Sequence, residues 1–409
     1  MSLPLEGVRV LDLSRLLPGP FCSLLLADFG AEVIKVEDMG MGDYARWSPP
    51  YYEGAEDSAK SALFLGLNRN KRSIRLNLKD ERGREVLLRL SKDADVVLES
   101  FRPGVLDRLG VGYEQLKEVN PGIVYCAITG YGLDGPLRDR SGHDMNYLGL
   151  IGLLGLSGEA DGPPVQSAGQ IADIGGGGLM AAFGILAALR ERDTSGVGQV
   201  VDVSMADGAL AWLAMTAASF LADGNCPRRG HIPLGGMFVC YRPYECADGW
   251  VTLGALEPKF FRNFCVGVGR EDLIEHQFGT PRSEAHADLE AIFRARTRAD
   301  WTVFAGEHDC CLEPVLDLGE VLESDLVRER EMVVEVEQPG ADRPVRQLGV
   351  PVKLSRTPGD PRRLPGPGLG EHTESVLRDA GYTDEEIAAL EEDGAIGGLA
   401  QGVTGSFLS

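Results

Sequence analysis

Residues 141–150 read SGHDMNYLGL, so His143 and Asp144 stand side by side ahead of a largely apolar run. An imidazole titrates near neutrality and can take and return a proton at physiological pH. An adjacent carboxylate can fix its tautomer and support the imidazolium. The pair is a candidate acid/base centre, and the alternative is a polar turn before a buried helix. Asp173 precedes four glycines, Gly175–Gly178. Its carboxylate reads either as a helix N-cap, a common post for Asp, or as an acid where the bare backbone lets a ligand come close. Glu257, in ALEPKFF, follows an apolar strand and precedes Pro258, which also suits a helix-start acid. His231, His276, His286 and His308 sit in polar or linker contexts and read as surface residues, and His372 as a cap of the last helical segment. There is no HxxxH, HExxH or CxxC spacing, so no metal site is expected. A GxSxG elbow and a Walker loop are also lacking.

The elements that must hold these residues alternate in kind. GVRVLDL is a strand signal, PGPFCSLLLADFG a helix with proline near its start and Gly30 near its end, and AEVIKVE a second strand. A helix at roughly Asp80–Ser91, a strand in ADVVLES and another in GIVYCAITGYG follow. Such alternation predicts βαβ units, a parallel sheet and a ligand site at the carboxyl ends of its strands. The run DIGGGGLMAAFGILAALRER predicts a glycine-rich helix start whose N–H groups carry positive potential. Beyond the Gly/Pro linker DGNCPRRGHIPLGG, the stretch FVCYRPYECADGWVTLGAL predicts two strands joined at Ala247–Gly249. The expected division is a large α/β domain over 1–225, a small α+β domain over 228–328, and a segment over 329–409 that returns to the large domain. Thr383 and Glu386 fit a capping box on the last helix.

Composition sets limits. The 409 residues carry a net charge of −22, which argues against a nucleic-acid partner or an anionic membrane surface. The eight cysteines are scattered and read as reduced thiols of a cytoplasmic protein. The N-terminus has no signal-peptide pattern, and the apolar run near 179–189 is too short and Gly/Ala-rich for a membrane span. Basic residues gather at 68–75, NRNKRSIR, with Lys35 and Arg102 in nearby strand–loop positions. In an acidic chain these suggest a phosphate pocket as well as a solvated face.

Taken together, RVLDL…PGP…LADFGAEVIKVE, LNRNKRSIRLNLK, FRPGVLDRLG, GVGQVVDVSMADG and LGEHTESVL…GYTDEEIAAL resemble the class III CoA-transferase superfamily almost end to end. Its transferases move CoA between carboxylic acids through an aspartyl-CoA thioester, and its α-methylacyl-CoA racemases exchange the proton at carbon 2 of a branched acyl-CoA. Asp173 lies where both groups keep an aspartate. GHDMNY, GALEPKFF and DCCLEPVLDLGEV resemble the racemase branch, whereas residues 44–63 form an insertion more like the transferases. The resemblance implies a Rossmann-like large domain, an interlocked homodimer and no cofactor beyond the coenzyme A carried by the substrate. It implies His143 and Asp173 as the two proton-transfer groups on opposite faces, and Asp144 and Glu257 as their support. Backbone N–H groups at Gly175–Gly178 would hold the enolate oxygen. Lys35, Arg69, Arg72 and Arg102 would meet the phosphates and adenine of coenzyme A.

Overall fold

The computed structural model describes residues 2–52 and 61–407. Residues 53–60 of the expected insertion lie outside the described residues. In chain order the strands are β1 (Arg9–Asp12), β2 (Glu32–Glu37), β3 (Lys71–Leu76), β4 (Val96–Glu99), β5 (Val124–Thr129), β6 (Val200–Ser204), β7 (Tyr241–Cys246), β8 (Gly249–Gly254), β9 (Leu312–Pro314), β10 (Val333–Val336), β11 (Val345–Leu348) and β12 (Ile396–Gly397). The chain divides into two compact units. Unit 1 comprises Met1–Ile151, Gly169–Ala211 and Asp325–Ser409, and unit 2 comprises Gly152–Ala168 and Trp212–Ser324. This corrects the expected boundaries: residues 152–168 belong to unit 2, and the chain crosses into it at Trp212, not near 225. The crossing falls inside ALAWLAM, an apolar run with no Gly or Pro to mark it, and the Gly/Pro-rich linker lies within unit 2.

Unit 1 is a seven-stranded sheet in the order β12-β3-β2-β1-β4-β5-β6. β1 to β6 pair in parallel and β12 closes one edge antiparallel to β3. Parallel strands covered on both faces read as unbroken apolar runs, and every residue of β4 and β5 is buried. The helix Pro18–Asp28 follows β1 with proline at its first turn. Glu81–Ser91 is capped by Asp80, whose side chain accepts from Arg82 N–H at 2.9 Å. The strand order reverses beside β1, whose neighbours are β2 and β4. A crevice opens at such a switch point, outside the carboxyl ends of the strands. β10 and β11 form a separate antiparallel pair in unit 1. One helical stretch, Ile171–Ser195, is long and apolar enough to cross a membrane by length and composition; half of its apolar window is buried.

Charges are buried in pairs in unit 1. Lys35 Nζ meets Asp43 at 2.8 Å, Arg46 meets Glu37 at 2.7 Å, Arg69 meets Asp28 at 2.7 Å, and Lys71 meets Asp12 at 3.5 Å. Burial opposes the Glu37 charge, but the Arg46 guanidinium outweighs it and holds the carboxyl at about 2. Removing one member of such a pair leaves the other charged and dry. Asp28 accepts from Arg69 Nε at 3.1 Å and from Asn70 Nδ2 at 2.8 Å. Asp28→Ala is therefore expected to cost about 3–5 kcal/mol, read as a lowered urea midpoint, whereas breaking a solvent-screened surface pair such as Arg378–Glu374 should leave the midpoint nearly unchanged.

Unit 2 carries the antiparallel sheet β7-β8-β9. Cys246 pairs with Gly249, so Ala247 and Asp248 make a two-residue turn. Its core is aromatic: Phe261, Phe264, Phe293 and Trp301 are buried together, and Tyr244 stacks on Phe293 at 4.4 Å between centroids. Helix Arg298–His308 begins in a Thr297/Asp300 capping box.

Candidate active site

The crevice of unit 1 holds a cavity of about 450 Å³, bounded by the loops after β1, β4 and β5. Buried ions set the first loop. Asp12 accepts the N–H of Ser14 at 2.9 Å as well as the Ser14 hydroxyl. Lys35 Nζ donates to Ser14 O at 3.0 Å, and Leu16 N–H donates to Asp43 Oδ1 at 3.0 Å. Leu16 has a φ of 63°, a left-handed backbone that costs a leucine energy unless its surroundings impose it. The outcome is a wall of Arg15, Leu16 and Pro18, joined by Tyr44 from the turn that Asp43 caps. Arg15 N–H donates to Ser100 Oγ at 3.2 Å, and its guanidinium lies 5.6 Å from the Phe101 ring centre, which ties this wall to the loop after β4.

His143 and Asp173 both line this cavity. His143 is the N-cap residue of helix Asp144–Leu150 and its ring is exposed; Asn146 Oδ1 accepts its backbone N–H at 3.0 Å. Gly142 just before it has no room for a side chain. A Cβ there would lie 2.7 Å from the Tyr147 ring and 2.9 Å from the Tyr131 hydroxyl. Tyr147 donates to Gly142 O at 2.6 Å and packs edge-on against Tyr131.

Asp144 is buried and accepts from Ala172 N–H at 2.7 Å and from Asp173 N–H at 3.0 Å. This corrects the expectation that it orients the His143 ring: its carboxylate caps a later helix across 28 residues of sequence. That helix starts at Ile171, with Gln170 as its N-cap residue, and runs to Leu179 as a π-helix. Asp173 therefore lies in the first turn and is no N-cap. Burial raises its carboxyl, the Asp144 carboxylate adds to this and His143 opposes it, and the balance is about 6.

Gly175–Gly178 lie inside the helix, not at its start, so their N–H groups are engaged in its i→i−5 pattern. This corrects their expected role at an enolate oxygen. The glycines serve packing instead. A Cβ on Gly176 would meet Met205 O at 2.6 Å, and one on Gly178 would meet Pro18 O at 2.7 Å.

The basic candidates separate. Lys35 and Arg69 are buried in the pairs described above, with no surface to offer a phosphate, and both are corrected to structural posts. Arg72 pairs with Glu32 at 3.0 Å and Asp379 at 2.9 Å and lines neither cavity described here. Arg102 lines the cavity, together with Arg138 and Arg140, which sequence reasoning missed. Arg108 faces Gly104, near Arg138. Among the described residues, Arg102, Arg108 and Arg140 have no acidic partner. A second cavity of about 540 Å³, over the ends of β1, β2 and β3, shares Arg15 and Phe101 with the first and contains Lys79. Glu257 belongs to unit 2, where it is the exposed N-cap residue of helix Pro258–Gly267. Tyr44, Tyr131 and Tyr147 were also missed; only Tyr147, in the GHDMNY motif, carried a signal.

Comparison with known proteins fits this picture. The CoA-transferase family III sequence model matches residues 5–373. The chain is 38% identical to mouse (Mus musculus) alpha-methylacyl-CoA racemase, over 95% of this chain and 96% of that protein. It is 34% identical to mouse succinyl-CoA:glutarate CoA-transferase, over 93% and 87%. The crystal structure of a CAIB/BAIF family protein from Brucella suis superposes with a TM-score of 0.80 at 32% identity, covering 93% of this chain and 100% of that one.

Proposed function

The chain belongs to CoA-transferase family III, and from that premise we propose that it interconverts the two epimers of a 2-methyl-branched acyl-CoA. The observation that carries this is the pairing of His143 and Asp173, two acid/base groups of different type, on the wall of one cavity. Racemisation at carbon 2 needs a base on one face and an acid on the other. One group takes the α-proton and leaves an enolate; the other returns a proton to the opposite face. In the reverse direction the roles exchange. A carboxyl at about 6 beside an imidazole suits both directions near neutral pH. Since the glycine N–H groups are engaged, we assign the enolate oxygen to donors on the cavity wall. The Tyr44 hydroxyl is the first of these, because it lies near enough to the Asp173 charge to be raised by it, though less than by burial and by Asp43.

The two cavities share Arg15 and Phe101 in their walls, and we assign them to the acyl end and the nucleotide end of one extended ligand. Arg102, Arg108, Arg138 and Arg140 supply cations for its phosphates on a protein of net charge −22. No cofactor beyond this coenzyme A is called for. Homodimerisation is part of the proposal. It is supported by Phe183, 70% exposed, and Leu186 on the helix Met180–Ser195, an apolar face that a partner subunit would cover. The eight free cysteines suit a reducing compartment, and we place the protein in the cytoplasm.

A second reading has a specific basis. The transferase relative at 34% identity favours an enzyme that uses Asp173 as a nucleophile and carries CoA as an aspartyl thioester. The test is incubation in heavy water with a single-enantiomer 2-methylacyl-CoA and no acceptor acid. Deuterium at carbon 2 with appearance of the epimer is the expected result. No exchange, together with a thioester trapped on Asp173 when free acids are added, would replace the racemase by the transferase.

A further inference from the structure

Among the described residues, the buried acidic side chains are Asp12, Asp28, Glu37, Asp43, Glu99 and Asp144. Four of them pair with Lys71, Arg69, Arg46 and Lys35, and Asp144 caps a helix. Glu99 has neither arrangement. It ends β4, is 3% exposed, and meets no cation. Its carboxylate accepts the N–H of Phe101 at 2.6 Å and the Tyr125 hydroxyl at 3.3 Å. The other ionisable groups that face it are Asp107, from the helix Val105–Arg108, and the Cys126 thiol, from β5 beside Tyr125. None of these neutralises its charge.

Its one strong tether is to the loop that walls both cavities. Phe101 lies in each of them, Ser100 holds Arg15, and Arg102 lines the first. We propose that Glu99 is a positioning residue that couples one proton to the binding of coenzyme A, through the loop Ser100–Arg102. This rests on the reading that the two neighbouring cavities take a CoA ester. An ionised Glu99 is buried without a counterion and has only the Phe101 N–H and the Tyr125 hydroxyl to hold its charge. Phosphates bound at Arg102 put negative charge on the same loop, so binding favours the protonated carboxyl. By linkage, protonation must favour binding in equal measure. Burial already holds the carboxyl at about 7, so the exchange falls in the neutral range.

The test is calorimetric titration with coenzyme A itself, in buffers of different ionisation enthalpy from pH 6 to 8. The wild type should take up a proton fraction on binding near pH 7, and its Kd should rise about fivefold across the range, a modest coupling for linked sites. The 3′-phosphate of coenzyme A titrates near pH 6 and gives a background, which Glu99→Gln shares. E99Q keeps the shape of the side chain and has no proton to exchange, so its uptake should fall to that background and its Kd should flatten. Tyr125→Phe removes a donor to the ionised form, and should move the midpoint to higher pH. Equal proton uptake in wild type and E99Q would overturn the proposal. Loss of epimerisation in heavy water with this linkage intact would count against the racemase reading and leave Glu99 as assigned.

Discussion

Asp173→Asn should lower epimerisation by about 10³-fold or more, within the range for losing a positioned acid or base, and should at the same time stabilise the protein. The activity loss has a signature. His143 is intact in D173N, so the epimer whose α-proton faces the imidazole should still exchange deuterium at carbon 2, with retention. The other epimer should not exchange. His143→Ala should give the mirror pattern. Loss of exchange from both epimers in D173N would point to a single-base or nucleophilic role for Asp173. The stability gain follows from the carboxyl being raised to about 6 in the fold, against an ordinary 3.8. The folded state favours the protonated form, so stability is greatest below about pH 4. It declines as pH rises through the interval to about 6, and is flat above. At pH 7 the cost is at most about 3 kcal/mol. D173N removes the charge and should remove the pH slope between 4 and 6, measured by urea unfolding at several pH values. In the wild type both directions draw on the same singly protonated His143/Asp173 pair, so they should share one bell-shaped pH profile and slow together on either side of it.

Gly208→Ala should be nearly as damaging, with no chemical group lost. Gly208 lies in the helix Met205–Ala211, and a Cβ there would sit 2.1 Å from Gly176 O and 2.7 Å from Gly176 C and Cα. These are backbone atoms of the π-helix and cannot swing aside. The two helices must move apart by an ångström or more, and Asp173, three residues before Gly176, moves with them. Overpacking of this kind costs about 1–3 kcal/mol or more. A misplacement of about 1 Å costs on the order of 10²-fold in rate. The expected result is a folded, less stable enzyme with epimerisation down about 100-fold and coenzyme A binding retained, since the arginines lie on other elements. Wild-type activity in G208A would show that the close helix contact does not hold Asp173 in place.

Several elements could be read from the chain because local chemistry decides them. Pro18, Asp80 and Thr383 start helices by fixing φ or by satisfying a free N–H, and the hairpin at Ala247–Asp248 follows from its turn. His143 and Asp173 could be picked out because few residue types move protons near neutrality. Burial of charge could not be read. Nothing in NRNKRSIR separates Arg69, locked on Asp28, from Arg72, partly exposed on β3, because their partners are 41 and 40 residues away. The glycine run misled for a related reason. Glycines suggest a helix start when seen alone, yet the true start is fixed by Asp144, which gives its carboxylate to Ala172 and Asp173. The arginines at the cavity were hidden in a loop with no period, LRDRSG.

The way unit 1 is assembled from three stretches of chain has a consequence for its synthesis on the ribosome. Chains are made from the N-terminus, and domains usually fold as they emerge. Here the early residues wait for late ones. The Arg46 guanidinium donates to Pro367 O at 2.9 Å, Arg69 to Leu348 O at 2.7 Å, and Asn70 to Asp360 O at 2.8 Å. The exposed edge of β3 is covered by β12 only at Ile396 and Gly397. Unit 2 is contiguous from Trp212 to Ser324 apart from one short segment made before it, so it can settle while unit 1 still lacks its last strand. A nascent chain halted before residue 348 carries these buried donors without their late acceptors, and one halted before residue 396 still has an open sheet edge. Such a chain is a natural client for chaperones until β12 pairs with β3.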